Sequence, residues 1–409
     1  MKKHEITISF FIPLLLVLFT FTGYVNKYLA YVFSGVPSII YLVYKLNTGC
    51  RLKKDFNFFI SFLFLLCMFI SYFYAVFPNT VLKTFIATFA TFLIGALVYS
   101  YGNKNTYEYI FRLLIIFSII FNSVTVLSII IPTLYTQLII PLLPLDIQTE
   151  ALRFYNGTVS SGLTDQTGTN AWFCVLGISI SFSKLMNKRS KEFFIVFVLS
   201  FLALLFTAKR AHLGFSFFCI LFLFFYSNKR KTMKIFRFVS IVILTVLLFS
   251  LLFNDIFNSW MYRFHRNDGS DISSNRFFLW GVAFTEFLKR PLFGFGWGYY
   301  SNISETNVHN VYIQVLCELG ILGEILFIIM LLSNFVSVMR NLKKTIKIKG
   351  VLYNYCVFCV FIQLFIIFYC LTGNCFNDLH ILVIYYFTIF LNRYVKDEIF
   401  HLNRMELKK

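Results

Sequence analysis

Long apolar stretches dominate the chain and are separated by short polar segments. A run of about 17–25 apolar residues is long enough to cross a bilayer as a helix. The pattern predicts about twelve spans: Ile6–Gly23, Tyr28–Tyr44, Phe56–Phe77, Val81–Ser100, Tyr109–Ile131, Asn170–Leu185, Phe193–Thr207, Leu213–Ser227, Ile235–Phe253, Val311–Val338, Val351–Thr372 and Leu379–Leu391. The predicted fold class is an all-α polytopic membrane protein in which residues 1–409 form a single integral membrane domain.

Composition and charge support this assignment. Hydrophobic residues make up 58% of the chain, charged residues make up 13%, and there are 55 Phe residues. A water-soluble fold of this length could not bury so much apolar surface, whereas lipid can solvate it. The net charge of +19 would suit a nucleic-acid-binding protein. However, the basic residues form short clusters between the apolar runs rather than one continuous face, so nucleic acid is excluded as a partner.

The nine cysteines show no spacing typical of a metal site. Cys356 and Cys359 form a CxxC pair, but the pair lies inside a predicted span and no second pair accompanies it. We expect the cysteines to pack as small apolar side chains. Neither a metal nor a cofactor is predicted.

The positions of the positive charges predict the orientation in the membrane. When successive loops are assigned alternately to the two sides of the membrane, most of the 37 Lys and Arg residues fall on one side. This side is predicted to be cytoplasmic by the positive-inside rule. Both termini are then cytoplasmic, and the two longest polar stretches, 132–169 and 254–309, are outer loops.

Several basic residues nevertheless lie on the predicted outer side. Lys209 and Arg210 occupy a tight turn between two spans, and Arg276 lies in the long outer loop. A charge drawn into hydrocarbon costs up to about 3 kcal/mol, so such residues usually face an anion or a wet cavity. Arg263, Arg266, Lys289 and Arg290 lie in the same loop, where Lys and Arg side chains can also extend to lipid headgroups.

The segment around Arg276 predicts an amphipathic helix over about 274–290. Ser273 or Ser274 can cap its start. Aromatic and aliphatic residues then recur at helical spacing, namely Phe277, Trp280, Phe284 and Phe287 or Leu288. We expect this helix to lie along the outer membrane interface. Pro291 ends it, and the glycines of Gly294–Gly298 predict a compact turn that could approach a ligand closely.

A second pattern begins at His309. Asn310, Gln314 and Glu318 follow at a spacing of four residues and form one polar stripe on an otherwise apolar helix. Polar groups at membrane depth usually face a protein interior or a water-filled cavity. His309 stands at the start of this helix, where the backbone N–H groups favour an anion.

Together these residues suit a diphosphate. Arg makes bidentate, charge-assisted hydrogen bonds to phosphate oxygens, and each contributes on the order of 1.5–3 kcal/mol. If a sugar is linked through the diphosphate, the same bonds stabilise the leaving group without a metal. Asp268 and Asp271 could bind a cation, although a solvated loop turn is the simpler interpretation.

Three segments resemble the signature blocks of the O-antigen ligase/polymerase superfamily. They are TAKRAHLG at Thr207–Gly214, SNRFFLW at Ser274–Trp280 with PLFGFGWG at Pro291–Gly298, and HNVYIQVLCELGILG at His309–Gly323. The order, spacing and predicted sidedness of the blocks agree with the superfamily. The resemblance covers about residues 155–330, and the segment 162–170 resembles the stretch that enters the mid-chain helix.

The resemblance implies an enzyme of the bacterial cytoplasmic (inner) membrane with a glycosyltransferase-C-like helical fold. It implies metal-independent transfer from an undecaprenyl-diphosphate-linked oligosaccharide, with the active site on the periplasmic, outer face. Arg210 and Arg276, with Lys209 beside them, would bind the diphosphate, and His309 would lie at the reacting centre. We expect His309 to accept or orient the proton of the acceptor hydroxyl, with Glu318 as the alternative base. The remaining polar residues would lie on the acceptor side: Asp165, Asn310 and Gln314.

Two enzyme activities remain open. A polymerase would transfer the glycan to a sugar hydroxyl of another lipid-linked glycan, and a ligase would transfer it to lipid A-core. The outer loop 132–169 has three acidic residues (Asp146, Glu150 and Asp165) against Arg153 alone, which favours a polymerase because a phosphate-rich core would be repelled. A chain-length regulator and a flippase are expected partners. The alternative from another class is a non-catalytic transporter of lipid-linked glycans.

Overall fold

The computed structural model describes residues 13–21, 55–156, 159–227, 275–304 and 306–406, with isolated positions between 35 and 47. The ordered elements in these ranges are helices joined by turns. We number twelve of them: α1 Phe56–Ile70, α2 Pro78–Tyr101, α3 Lys104–Ile130, α4 Leu145–Asn156, α5 Thr167–Asn187, α6 Lys191–Phe206, α7 Arg210–Ser227, α8 Arg276–Lys289, α9 Tyr299–Ser304, α10 Val311–Ile348, α11 Gly350–Tyr369 and α12 Leu379–Glu406.

Six helices in the described ranges are long and apolar enough to cross a membrane. They are α1, extended to Phe73 by a 3-10 turn, α2, α3, α7, α10 and α11. Helices also form at three further predicted spans (α5, α6 and α12), which do not belong to these six. The predicted span Ile235–Phe253, most of Tyr28–Tyr44 and part of Ile6–Gly23 lie outside the described residues. The total of twelve spans therefore stays a prediction.

The chain divides into two compact units. Unit 1 comprises residues 1–114 and 276–409, and unit 2 comprises residues 115–275. In unit 1, α2 packs along α12, and α10 packs against α1, α8 and α11. In unit 2, α5 packs against α6 and α7.

Several loops of unit 1 that are predicted to lie on the same side of the membrane contact one another. At one end, the segment after α1 meets the segment Gly294–Gly298, hereafter the glycine turn, because the Val76 N–H donates to the Phe295 carbonyl at 3.2 Å. The Val311 N–H donates to the Cys370 carbonyl at 2.7 Å, which adds the loop after α11 to the same end. All of these loops are predicted to be outer. At segments predicted to be cytoplasmic, Lys396 pairs with Asp55 at 3.1 Å.

Helix α8 lies within the segment 274–290 for which an amphipathic helix was predicted, and Ser273 and Ser274 lie outside the described residues. Its two faces differ. Phe277, Phe284 and Leu288 are 66%, 48% and 60% exposed, which suits a helix against lipid. Trp280 instead turns inward, and its indole N–H donates to the Val308 carbonyl at 3.1 Å. The position of α8 at the membrane interface stays a prediction.

Helix α10 is interrupted at Gly320, where φ is 68° and ψ is −171°. The sequence analysis placed this residue inside a span without predicting a break. The interruption frees backbone groups of α10, and Pro291 and the glycine turn take them up. The carbonyls of Cys317 and Glu318 accept from the Phe295 and Gly296 N–H groups at 3.3 and 2.8 Å, and the Ile321 N–H donates to the Pro291 carbonyl at 2.8 Å. Non-helical backbone at membrane depth is tolerated when it is satisfied in this way.

Two glycines allow the backbones to approach. A Cβ on Gly320 would lie 2.3 Å from the Leu292 carbonyl oxygen, and a Cβ on Gly294 would lie 2.5 Å from the Glu318 carbonyl group. Both glycines have φ of +68°. Each glycine therefore makes room for the backbone that flanks the other.

We predict that Gly320→Ala lowers the free energy of unfolding by at least about 1–3 kcal/mol, because its φ and ψ are almost restricted to glycine and the added Cβ meets backbone. Thermal unfolding of the purified protein in detergent measures the effect.

The matched control is Gly281→Ala in α8, where an added Cβ meets nothing within 4 Å. Alanine there should leave stability unchanged or raise it by up to about 1 kcal/mol, because alanine favours helix. Equal melting temperatures for the two variants would contradict the pairing described above.

Candidate active site

The carboxylate of Glu318 is fully buried and is surrounded by donors. The Gly298 N–H donates to Oε2 at 2.8 Å and the Tyr300 N–H donates to Oε1 at 3.2 Å. The Gln314 amide donates to Oε2 at 3.2 Å. Backbone donors stabilise a buried carboxylate strongly, since charge-assisted hydrogen bonds are about twice as strong as neutral ones. Glu318 therefore holds the end of the glycine turn against α10.

The predicted polar stripe is present, and it faces protein. Asn310 caps α10, with its side-chain oxygen accepting from the Ile313 N–H at 3.2 Å. Gln314 contacts Glu318 one turn later and also donates to the Asn377 side chain at 3.2 Å. Asn310 and Gln314 are 7% and 3% exposed. The stripe thus joins the glycine turn on one side to the loop after α11 on the other.

His309 lies directly before the cap of α10, and its φ of 56° is in the left-handed region. Such a conformation is uncommon outside glycine and often marks a functional site. Asn374, in the loop after α11, contacts His309 twice. Its Oδ1 accepts from the His309 backbone N–H at 3.0 Å, and its Nδ2 lies 3.0 Å from the imidazole Nδ1.

Arg276 is the first residue of α8, where the first-turn N–H groups also favour an anion. The contact of Trp280 with the Val308 carbonyl holds α8 beside the residue that precedes His309. Unit 1 therefore brings Arg276, His309 and the polar stripe into one region.

Charged side chains at the end of α8 contact the glycine turn and the start of α9. Tyr299 donates through its hydroxyl to Glu286 of α8 at 3.0 Å, and Lys289 pairs with the same carboxylate at 2.5 Å. The hydrogen bond from Lys289 lowers the pKa of Glu286. The Arg290 guanidinium lies over the Phe295 ring at 4.7 Å. Two of the basic residues of the long outer loop are thus engaged within the protein.

In unit 2, Arg210 is the first residue of α7 and follows a turn in which Ala208 has a φ of 53°. Lys209 lines a cleft of about 420 Å³ together with Glu150, Arg153, Phe154, Asp165, Gln166 and Thr167. Arg153 pairs with Glu150 at 2.6 Å. Burial raises the pKa of Asp165, although backbone N–H groups oppose this shift.

The segment that carries Asp165 is fixed by buried polar contacts within unit 2. Asn170 donates to Thr125 at 3.0 Å and to the Ser160 carbonyl at 3.3 Å. The hydroxyl of Tyr135 donates to the Gly162 carbonyl at 2.7 Å. These bonds hold the start of α5 and the side of the cleft beside it.

The structure thus places the predicted residues in two groups. Arg276, His309, Asn310, Gln314 and Glu318 lie in unit 1, whereas Lys209, Arg210 and Asp165 lie in unit 2. Sequence analysis missed Asn374 and Asn377. The available signal was the cluster of three polar residues, Asn374, Asn377 and Asp378, shortly after the predicted span Val351–Thr372. Within the described ranges, no cluster of three or more His, Cys, Asp and Glu residues could hold a metal ion.

In a comparison with protein-family models, residues 195–328 match the family described as O-Antigen ligase. This match confirms the predicted resemblance to the O-antigen ligase/polymerase superfamily over that segment. The matched segment contains Arg210, Arg276, His309 and Glu318, whereas Asp165 and Asn374 lie outside it. No curated protein matches the chain. The apolar helices and the O-antigen ligase segment together indicate a multi-pass membrane protein with a function of the ligase/polymerase type.

We predict that Glu318→Gln lowers the free energy of unfolding by about 1–3 kcal/mol. The NH₂ group of Gln would replace one of the two carboxylate oxygens, so one of the backbone N–H groups that now donate to Glu318 would lose its acceptor. Chemical unfolding in detergent, followed by tryptophan fluorescence, measures the change, since Trp297 lies in the turn.

Glu324→Gln is the matched control on the same helix. Glu324 is also buried, at 7% exposed, but within the described part of the chain its Oε2 has no hydrogen-bond partner. Gln there should leave stability unchanged or raise it, because an isolated buried carboxylate is costly. If both substitutions had the same effect, the role assigned to Glu318 in holding the turn would be wrong.

Proposed function

We propose that the protein is a bacterial polysaccharide polymerase that transfers an undecaprenyl-diphosphate-linked glycan onto a sugar hydroxyl of an acceptor glycan. The observation that carries the proposal is the O-antigen ligase match over residues 195–328, which includes Arg210, Arg276 and His309. The predicted chemistry of these residues supports it independently, because guanidinium groups suit a diphosphate leaving group.

The two arginines proposed to bind the diphosphate occupy the same structural position. Arg210 and Arg276 are the first residues of α7 and α8, which are 18 and 14 residues long. At such a position the guanidinium and the N–H groups of the first helical turn can act on one anion. In our proposal these groups, with Lys209, bind the diphosphate and stabilise the charge that develops when it leaves, so no metal is required.

The proposed reaction forms one bond and breaks another. An oxygen of the acceptor hydroxyl attacks the anomeric carbon of the donor sugar, the bond from that carbon to the diphosphate oxygen breaks, and undecaprenyl diphosphate leaves with the electron pair. His309 lies at the reacting centre in this proposal. Glu318 does not suit the role of alternative base, because both of its oxygens already accept from backbone N–H groups. We assign it to positioning the glycine turn.

The cleft in unit 2 is our candidate for the acceptor sugar. Its lining combines two carboxylates, two cations, an amide and a hydroxyl, and Glu150 pairs with Arg153. Such a lining offers many hydrogen bonds with little net charge, which fits a neutral sugar better than a phosphate-rich core. Its volume lies in the range usual for small-ligand sites. This favours a polymerase.

Transfer to lipid A-core is the second candidate, since the matched family is described as O-Antigen ligase. The long outer loop has five basic residues that could bind core phosphates: Arg263, Arg266, Arg276, Lys289 and Arg290. However, Lys289 pairs with Glu286, and Arg290 lies over Phe295. These contacts weaken the case for a ligase without removing it.

We place the protein in the inner membrane with both termini in the cytoplasm and the site on the outer face. The distribution of basic residues supports this orientation. The gathering of the predicted outer loops at one end of unit 1 is consistent with it.

The proposal is tested with purified protein in nanodiscs, supplied only with undecaprenyl-diphosphate repeat units. We expect a ladder of lengthened glycans on a gel, and we expect it to persist in EDTA. Arg210→Ala and Arg276→Ala should each lower turnover by on the order of a hundredfold, equivalent to about 3 kcal/mol of lost leaving-group stabilisation. Lysine at either position should restore little activity, because it cannot make the bidentate contact.

Arg340→Ala is the control for the loss of an arginine, since Arg340 is exposed on α10 in a cluster predicted to be cytoplasmic. It should retain full activity. Product that appears only after lipid A-core is added would identify a ligase instead. Folded protein that makes no product with either acceptor would refute the enzyme proposal.

A further inference from the structure

The two contacts between His309 and Asn374 determine which nitrogen of the imidazole carries a proton. A backbone N–H can only donate, so the atom of Asn374 that faces the His309 N–H is the oxygen, as observed at 3.0 Å. The other end of the amide is then the NH₂ group, which can only donate. It lies 3.0 Å from the imidazole Nδ1. Nδ1 must therefore accept, and the proton of the neutral ring is on Nε2.

Asn374 is itself held in place. The Asn377 N–H donates to the Asn374 carbonyl at 2.7 Å, and the Asn377 side chain contacts Gln314 of α10. The Cys370 carbonyl, at the start of the same loop, accepts from the Val311 N–H at 2.7 Å. The loop after α11 is thus tied to α10 on both sides of Asn374, and the amide cannot turn over without losing the bond to the His309 backbone.

We infer that Asn374 is a positioning residue that keeps the proton of His309 on Nε2, so that His309 acts as a hydrogen-bond donor rather than as the proton acceptor. This inference rests on the proposed transferase function. Nε2–H would donate to the diphosphate as the bond to the anomeric carbon breaks. The proton of the attacking hydroxyl then goes to an oxygen of the departing diphosphate, which has gained the electron pair of the broken bond. This revises the role for His309 that the sequence analysis favoured.

The first test is spectroscopic and does not depend on activity. Protein labelled with ¹⁵N-histidine contains six labelled residues, and the signal of His309 is assigned by its loss in His309→Gln. We expect a protonated Nε2 and an unprotonated Nδ1 in the native protein. In Asn374→Asp the carboxylate can still accept from the backbone N–H, but it now also accepts at Nδ1. The proton should then be found on Nδ1, and Nε2 should be unprotonated. A proton that stays on Nε2 in this variant would refute the assignment.

The second test measures turnover. Asn374→Asp should lower activity at least tenfold, because Nε2 of His309 loses its proton. If His309 instead acted as a base through Nε2, the new carboxylate would leave activity unchanged or raise it. His309→Gln should be at least tenfold more active than His309→Ala, since the amide of Gln can donate but cannot act as a base. Equal loss in both His309 variants would overturn the donor role.

Asn103→Asp supplies the control for the added charge. Asn103 lies before α3, and its Oδ1 accepts from the Thr106 N–H at 3.0 Å, a bond that Asp can also make. This variant should keep native activity and the native histidine spectrum. If the native protein shows the expected proton on Nε2 but transfers no glycan, the proposed function fails while the assignment of Asn374 stands.

A second inference rests on a separate contact in the same loop. The sulfur atoms of Cys370 and Cys375 lie 3.0 Å apart, and both side chains are fully buried. This is closer than an ordinary contact between sulfur atoms, and a modest approach would bring them to bonding distance. The CxxC pair noted in the sequence differs, since the Cys359 thiol contacts the Thr388 carbonyl.

We propose that Cys370 and Cys375 form a disulfide on the outer face of the membrane. The two thiols would lose two protons and two electrons to the disulfide of an extracytoplasmic thiol–disulfide oxidoreductase, which becomes a dithiol. The product would close the segment that contains Asn374 into a small ring. Disulfides persist outside the cytoplasm, so this proposal also depends on the predicted orientation.

Alkylation followed by mass spectrometry tests this. Protein denatured in N-ethylmaleimide without reductant should carry two labels fewer than its nine cysteines, and reductant should restore both. In Cys370→Ser every remaining cysteine should be labelled without reductant, whereas Cys356→Ser should still lack two labels. Complete labelling of the unreduced native protein would disprove the disulfide.

Discussion

The exchange of backbone hydrogen bonds at the interruption of α10 fixes the rest of the candidate site in unit 1. A helix broken within an apolar span exposes carbonyl and N–H groups, and each would cost several kcal/mol in hydrocarbon without a partner. Pro291 and the glycine turn supply those partners. Because Gly294 and Gly320 each leave room for the other's flanking backbone, the two segments can meet only at this register. The start of α10, and therefore His309, is positioned by this contact.

The Glu318 carboxylate extends the same contact by one turn. It accepts from Gly298 and Tyr300, so the turn is held by backbone bonds at one end and by a charged side chain at the other. Gln314 then links this carboxylate to Asn377 in the loop that carries Asn374. A buried polar network of this kind is stabilising only when its members are satisfied. The groups named here satisfy one another, which favours a preorganised site over a flexible one.

Helical periodicity was sufficient to predict apolar helices and the common helical face of Asn310, Gln314 and Glu318, because these depend on residues close in sequence. The direction in which Glu318 faces was not predictable, since its donors lie 18 and 20 residues away. Nor was the role of Asn374, which meets His309 across 65 residues. The break at Gly320 had a local signal in the glycine itself. However, glycine is common in membrane helices, so that signal did not distinguish a break from close packing.

The interruption of α10 also bears on the choice between an enzyme and a transporter. Transporters often use broken helices whose free carbonyls coordinate ions and whose halves move during the cycle. In this protein the carbonyls of Cys317 and Glu318 at the break already accept from backbone N–H groups of the glycine turn, so an ion would have to compete with those donors. Movement of one half of α10 past the glycine turn would break these bonds and the bonds to the Glu318 carboxylate together. Transferase chemistry needs donors held in fixed positions, whereas alternating access needs a segment with two arrangements of similar energy. The contacts at Gly320 meet the first requirement and oppose the second, which favours the enzyme.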